Sequence, residues 1–276
     1  MLKQRLLTAL ILGGATLWAI FGLDTAQLAV LFGAAVLAAA WEWGRLAGMV
    51  SPLARAAYVL FVTALLAAAW WAMSDPALVS IILHGALVGW FAAAVWILVA
   101  PQAGAASTAG MRVLKGVAGV LALVPAWLAM LLLHGSAGHG PGWVLFLLGL
   151  IWVADSGAYF AGRRWGRRKL APRVSPGKTW AGVYGAFILV LVYALAAASL
   201  LGLPMERWVL FVGLSVAMVP VSVVGDLFES LLKRQAGLKD SSHLLPGHGG
   251  MLDRIDSLTA AAPLFMLGLT WLGMRA

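Results

Sequence analysis

The sequence predicts an all-α, polytopic integral membrane protein with about nine transmembrane helices, its amino terminus cytoplasmic and its carboxyl terminus external. Three observations carry this. Of 276 residues 63% are hydrophobic and 11% charged, with mean hydropathy +0.96, whereas a soluble domain has about 45–50% apolar and about 25% charged residues. The apolar residues fall in successive runs approaching the roughly 20 residues that cross a bilayer. Lys and Arg gather in alternate connections. A soluble fold is excluded, as are a disordered chain, which needs low hydrophobicity, and a disulfide scaffold, since there is no cysteine.

The expected spans run over residues 6–23, 27–41, 56–73, 77–100, 113–133, 143–160, 180–201, 208–232 and 255–274. Lys3 and Arg5 ahead of the first run resemble a signal peptide, but no small-x-small cleavage site follows, so it is read as a span. The second is short. With the amino terminus inside, 17 of the 19 Lys and Arg residues are cytoplasmic and only Arg207 and Arg275 are external. The net charge of +9 is thereby a topological signal and not a nucleic-acid-binding one.

The chain divides by composition. Residues 1–150 have bland loops and almost no ionisable groups in their spans, and read as a transmembrane scaffold half of about five helices. Residues 151–276 hold two long polar cytoplasmic loops and the carboxylates Asp155, Asp226, Glu229, Asp240, Asp253 and Asp256, and read as the catalytic half.

Span eight places Ser222, Asp226 and Ser230 on one helix face at spacings of four, with Lys233 near the same line. Asp226 lies within an apolar run. An ionised carboxylate there needs a cation, a donor or a watery cavity, and intramembrane carboxylates are functional by default; a packing ion pair is the structural alternative. Pro220 should kink this helix. Asp253 and Asp256 open span nine, where carboxylates cap free N–H groups, and capping alone would account for Asp256. Asp226 and Asp253, on antiparallel helices joined by one loop, are expected to face each other and to need a cation between them; Mg²⁺, bound through one or two carboxylates plus substrate phosphates, suits the pair. His248 reads more readily as a hydrogen-bonding loop residue than as a metal ligand, since no second ligand stands at zinc spacing. Gly249 and Gly250 permit close backbone approach and offer N–H groups to phosphate.

In the other loop, Arg163–Lys169 reads as a topological, lipid-facing cluster. Ser175-Pro176-Gly177-Lys178-Thr179 resembles the end of a P-loop, but Pro172 occupies the place of its first glycine, so that motif is rejected. Lys178, before a helix start and flanked by the hydroxyls of Ser175 and Thr179, makes a candidate phosphate site.

The string Ser230-x2-Lys233-Arg234-x4-Lys239-Asp240-x5-Pro246-x-His248-Gly249-Gly250-x2-Asp253-Arg254-x-Asp256 resembles the signature of the phosphatidate cytidylyltransferases (CDP-diacylglycerol synthases), without departure. Asp155-Ser156-Gly157-Ala158-Tyr159 and the Ser175–Thr179 segment are similar to a second block of that family, while the first half contributes only Trp41-Glu42-Trp43. The resemblance implies an enzyme that makes CDP-diacylglycerol and diphosphate from CTP and phosphatidate with Mg²⁺, in the cell inner (cytoplasmic) membrane, with Asp226 and Asp253 as metal-binding carboxylates. Catalysis is then expected of Asp226, Asp253, Lys239 and Asp256. Substrate binding is expected of Ser175, Lys178, Thr179, Ser230, Lys233, Arg234, His248, Gly249, Gly250 and Arg254. No nucleic acid is expected as a partner, and a homodimer stays open. The alternative from another class is an ion-coupled transporter using Asp226 as a cation or proton relay; the lack of an internal repeat counts against it.

Overall fold

The computed structural model describes residues 13–106, 108–242, 244 and 249–274. Residues 6–12 of the first expected span, His248 and Arg275 lie outside them. Among the described residues the chain is helical throughout its long apolar runs: α1 (13–22), α2 (Thr25–Leu46), α3 (Pro52–Ala72), α4 (Pro76–Val99), α5 (Ala109–His134), α6 (Gly140–Trp165), α7 (Trp180–Leu200), α8 (Met205–Gln235) and α9 (Leu252–Trp271). Seven of these, α2 to α8, are long and apolar enough to cross a membrane. This is a multi-pass arrangement; α9 carries Asp253, Arg254 and Asp256 in its first turns and stands outside that group.

Local chemistry sets the helix starts. Asp24 caps α2 in a reciprocal capping box with Gln27, Asp75 accepts from Ala77 N ahead of α4, Thr108 caps α5, and Thr179 caps α7 by accepting from Gly182 N. The loop between α6 and α7 departs from the all-helical expectation. It forms a short antiparallel hairpin, β1 (Lys169–Ala171) and β2 (Ser175–Thr179), pairing Lys169 with Thr179 and Ala171 with Ser175. Its sequence, basic and proline-bearing, lacks the alternation that marks a half-buried strand. What anchors it is Val174, 3% exposed at the tip.

Two helices form the centre. α5 is 78% buried over its apolar window, against 22–39% for the other six candidate spans, and α9 buries an almost continuous run from Ser257 to Leu269. α9 packs on α8, α5 and α4, α6 lies along α7, and α7 along α8. The outward faces show Phe61, Phe91, Leu98, Ile188 and Leu200, an apolar exterior suited to lipid. Inside, indole N–H groups answer helix carbonyls. Pro263 has no N–H to bond Thr259 O one turn earlier, and Trp90 Nε1 donates to that oxygen at 3.1 Å.

Candidate active site

Residues of α6, β1, β2, α7, α8 and α9 line an open cavity of about 230 Å³. Its polar lining includes Asp155, Lys178, Thr179, Ser222, Asp226 and Ser257, and its apolar lining Leu170, Val183, Ala186, Val219 and Val223. Small residues bring these walls together. A Cβ on Gly157 of α6 would lie 2.6 Å from Gly185 O of α7, so the two backbones touch where Asp155 and Lys178 are brought to the same space. A Cβ on Gly225 would lie 2.6 Å from Asp256 O, so α8 meets α9 closely one residue before Asp226. Ser257 Oγ donates to Ser222 O at 3.2 Å across the same contact.

Lys178 Nζ forms an ion pair with Asp226 Oδ2, with the two side chains 24% and 30% exposed. Ser230 Oγ donates to Asp226 Oδ1 at 3.3 Å, one turn along α8. Asp155 feels the negative charge of Asp226 and the positive charges of Lys178 and Arg254. The cavity therefore holds two carboxylates with a lysine as their countercharge, against an apolar wall, and Arg254 adds positive charge from outside it.

A second cluster adjoins it. Lys233 Nζ donates to Glu229 Oε2 and Asp253 Oδ1, both at 2.7 Å. Asp253 Oδ2 accepts from Gly250 N at 2.7 Å, Ser241 Oγ at 2.9 Å and Ser241 N at 3.1 Å. Asp256 interacts electrostatically with both clusters, through Asp226 and Lys178 on one side and Glu229 and Lys233 on the other. Each of the two expected metal carboxylates thus has its own lysine, Lys178 for Asp226 and Lys233 for Asp253.

The remaining expected residues divide. Thr179 is 5% exposed and its hydroxyl oxygen is engaged in capping α7; Ser175 begins β2. Gly250 N–H is directed at Asp253, and Gly249, at φ +83°, holds the chain over the same carboxylate, where a Cβ would lie 2.7 Å from Asp253 Oδ2. Both glycines allow the close approach expected of them, but Gly250 N–H is given to a side chain. Arg234, Lys239 and Arg254 are exposed at the end of α8, in the following turn and at the start of α9. Asp256 accepts from Ser257 N, and the N–H groups that enter α9, those of Met251 and Leu252, are taken by another residue, Glu42.

Glu42, on α2, was not among the expected site residues, nor were Glu229 and Ser241. The argument that singles out Asp226, a carboxylate within an apolar helical run, applies equally to Glu42. Glu229 stands four residues before Lys233, the ordinary spacing of a helical ion pair.

The Cytidylyltransferase family profile matches residues 3–272. The chain belongs to this family. It is 45% identical over 271 residues to a phosphatidate cytidylyltransferase of Pseudomonas aeruginosa, covering 98% of this chain and 97% of the relative. A protein of the same name from Haemophilus influenzae is 39% identical over 283 residues, with 96% and 97% covered, and one from Brucella suis 36% identical over 273, with 96% and 92% covered. As a cytidylyltransferase, the chain is a nucleotidyltransferase enzyme embedded in lipid by its apolar helices, and the transporter alternative has no support.

Proposed function

We propose that this cytidylyltransferase transfers the cytidylyl group of CTP to phosphatidate, giving CDP-diacylglycerol and diphosphate, at the cytoplasmic face of the inner membrane. The observation that carries the reading to this site is the Lys178–Asp226 pair in a cavity with one charged and one apolar wall. Such a space suits a substrate with an anionic head and acyl tails. The distribution of Lys and Arg supports the cytoplasmic side.

In the reaction a phosphatidate phosphate oxygen attacks the α-phosphorus of CTP as the bond to diphosphate breaks. The protein's work is alignment and neutralisation of charge. Lys178 and Lys233, held by carboxylates in the free protein, exchange part of that pairing for substrate phosphates, and the exposed Lys239, Arg234 and Arg254 add positive charge around the site.

Mg²⁺ fits the donor set. Asp226 offers hard carboxylate oxygens and is partly exposed to the cavity with a lysine and a serine as its partners, whereas Asp253, held by Lys233, Ser241 and Gly250, would offer an oxygen as Lys233 turns to phosphate. Among the described residues no three acidic or histidine ligands converge into a metal site made by protein alone, which agrees with an ion whose remaining ligands are phosphates and water. Bound by Asp226 and Asp253, Mg²⁺ would neutralise developing charge on the triphosphate. All these residues belong to one chain, so a homodimer is compatible with the site but not required by it. The test is release of diphosphate by the purified protein, dependent on both CTP and phosphatidate; release with CTP alone would remove the lipid from the reaction.

A further inference from the structure

Glu42 is 3% exposed, and no Lys or Arg pairs with it among the described residues. A buried carboxylate without a countercharge is expensive unless donors surround it. Four do. Oε1 accepts from Ser242 Oγ at 2.5 Å and Met251 N at 3.0 Å, and Oε2 from Leu252 N at 2.7 Å and Ser241 Oγ at 3.0 Å. Two of these donors precede the polar loop that leads into α9 and two follow it, so one side chain from α2 ties both ends. Gly250 fits the arrangement because a Cβ there would lie 2.6 Å from each Glu42 oxygen.

The same segment holds Asp253. Ser241 Oγ stands 3.0 Å from Glu42 Oε2 and 2.9 Å from Asp253 Oδ2, so the two carboxylates share one hydroxyl, whose single proton serves one of them at a time. Ser241 N and Gly250 N reach Asp253 as well, and Met251 and Leu252, whose N–H groups Glu42 accepts, immediately precede it in the chain. We propose that Glu42 is a positioning residue for cytidylyl transfer: a buried anion from the N-terminal half that sets, through Ser241 and the first turn of α9, where the Asp253 carboxylate stands. The inference rests on the reading of Asp253 given under the proposed function. Its consequence is that a helix far from the catalytic string in sequence takes part in setting the site.

Glutamine at position 42 keeps the shape. Whichever way the amide turns, its NH₂ faces a backbone N–H, that of Met251 or Leu252, which cannot reverse its role as a hydroxyl can. Aspartate keeps the charge with a shorter reach. The experiment measures kcat and KM for CTP and phosphatidate in the purified parent, Glu42→Gln, Glu42→Asp, Ser241→Ala and the Glu42→Gln/Ser241→Ala double variant. Loss of a group that orients a ligand typically costs 10- to 100-fold, so Glu42→Gln is expected to lower kcat about 10- to 100-fold with KM values within about threefold of the parent. Glu42→Asp should recover part of the rate, and the double variant should be no more than about twofold slower than Glu42→Gln, because both substitutions act on one network. A parental kcat in Glu42→Gln, a loss confined to KM, or full multiplication of the two single effects overturns the proposal. If Glu42→Gln does not accumulate in folded form, Glu42→Asp and Ser241→Ala decide: a kcat loss with KM retained in both supports it, and parental kcat in either overturns it. Failure of the parent itself to release diphosphate would instead strike the proposed function.

Discussion

Lys178 and Asp226 show how a single pair concentrates the chemistry. The sequence places Lys178 beside a helix start as a phosphate ligand, and the structure gives it a carboxylate partner on another element. Asp226 was readable because a charge in an apolar run demands an explanation. Its partner was not, since no spacing rule connects a strand residue with a helix residue across the fold. Glu42 carries the same signal as Asp226, a carboxylate in an apolar run, but its partners are hydroxyls and backbone N–H groups, which leave no charge pattern in the sequence to join it to the site. Removing Lys178 leaves Asp226 without its ion-pair partner and the triphosphate without a nearby cation. A hydrogen bond to a charged group contributes about 1.5–3 kcal/mol, so Lys178→Ala should raise the KM for CTP about 10- to 100-fold. Arg164→Ala, at an exposed site in the last turn of α6, should change it by less than about twofold. Steady-state kinetics on the two variants checks the difference.

At the scale of elements, the apolar runs located the long helices to within a few residues, because lipid demands continuous apolar stretches with internally bonded backbone. The β1–β2 hairpin was hidden by its basic composition. The contacts between helices were equally hidden, since they depend on glycines that look like neutral punctuation in the sequence. Gly225 is the informative one. An alanine there would press a methyl group against the Asp256 carbonyl, Ser257 and Ala260, all on α9, and the backbone cannot swing aside as a flexible side chain would. Gly225→Ala should cost about 1–3 kcal/mol through overpacking, lower the thermal midpoint in detergent and reduce turnover. Gly213→Ala, on the same helix with open space around its Cβ, should leave both close to the parent. Thermal unfolding and turnover of the two variants provide the measurement.

The whole molecule joins its two compositional halves at the site. Glu42 enters from α2, α5 and α4 support α9, and the cavity is lined mainly by α6, α7, α8 and β2. The orientation of this assembly decides whether cytoplasmic CTP can reach it. Ala236, exposed after α8, and Ala137, exposed between α5 and α6, belong to connections that the distribution of basic residues assigns to opposite faces. In this cysteine-free chain, Ala236→Cys should resist a membrane-impermeant thiol reagent in sealed spheroplasts and react after permeabilisation, whereas Ala137→Cys should react in both. The reverse pattern would invert the topology and place the site away from its nucleotide.

The central claim concerns which part of CTP enters the lipid. Purified protein in mixed micelles of detergent and phosphatidate would be given CTP labelled with ³²P at the α-phosphorus in one sample and the γ-phosphorus in another, beside an Asp226→Asn control. The predicted result is α-label in the lipid fraction and γ-label released as diphosphate, in equal amounts. Both should be lost by several powers of ten when the Asp226 charge is removed. Transfer of γ-label to lipid, or release of diphosphate without α-label in lipid, would contradict cytidylyl transfer; full activity in Asp226→Asn would contradict the assignment of the site.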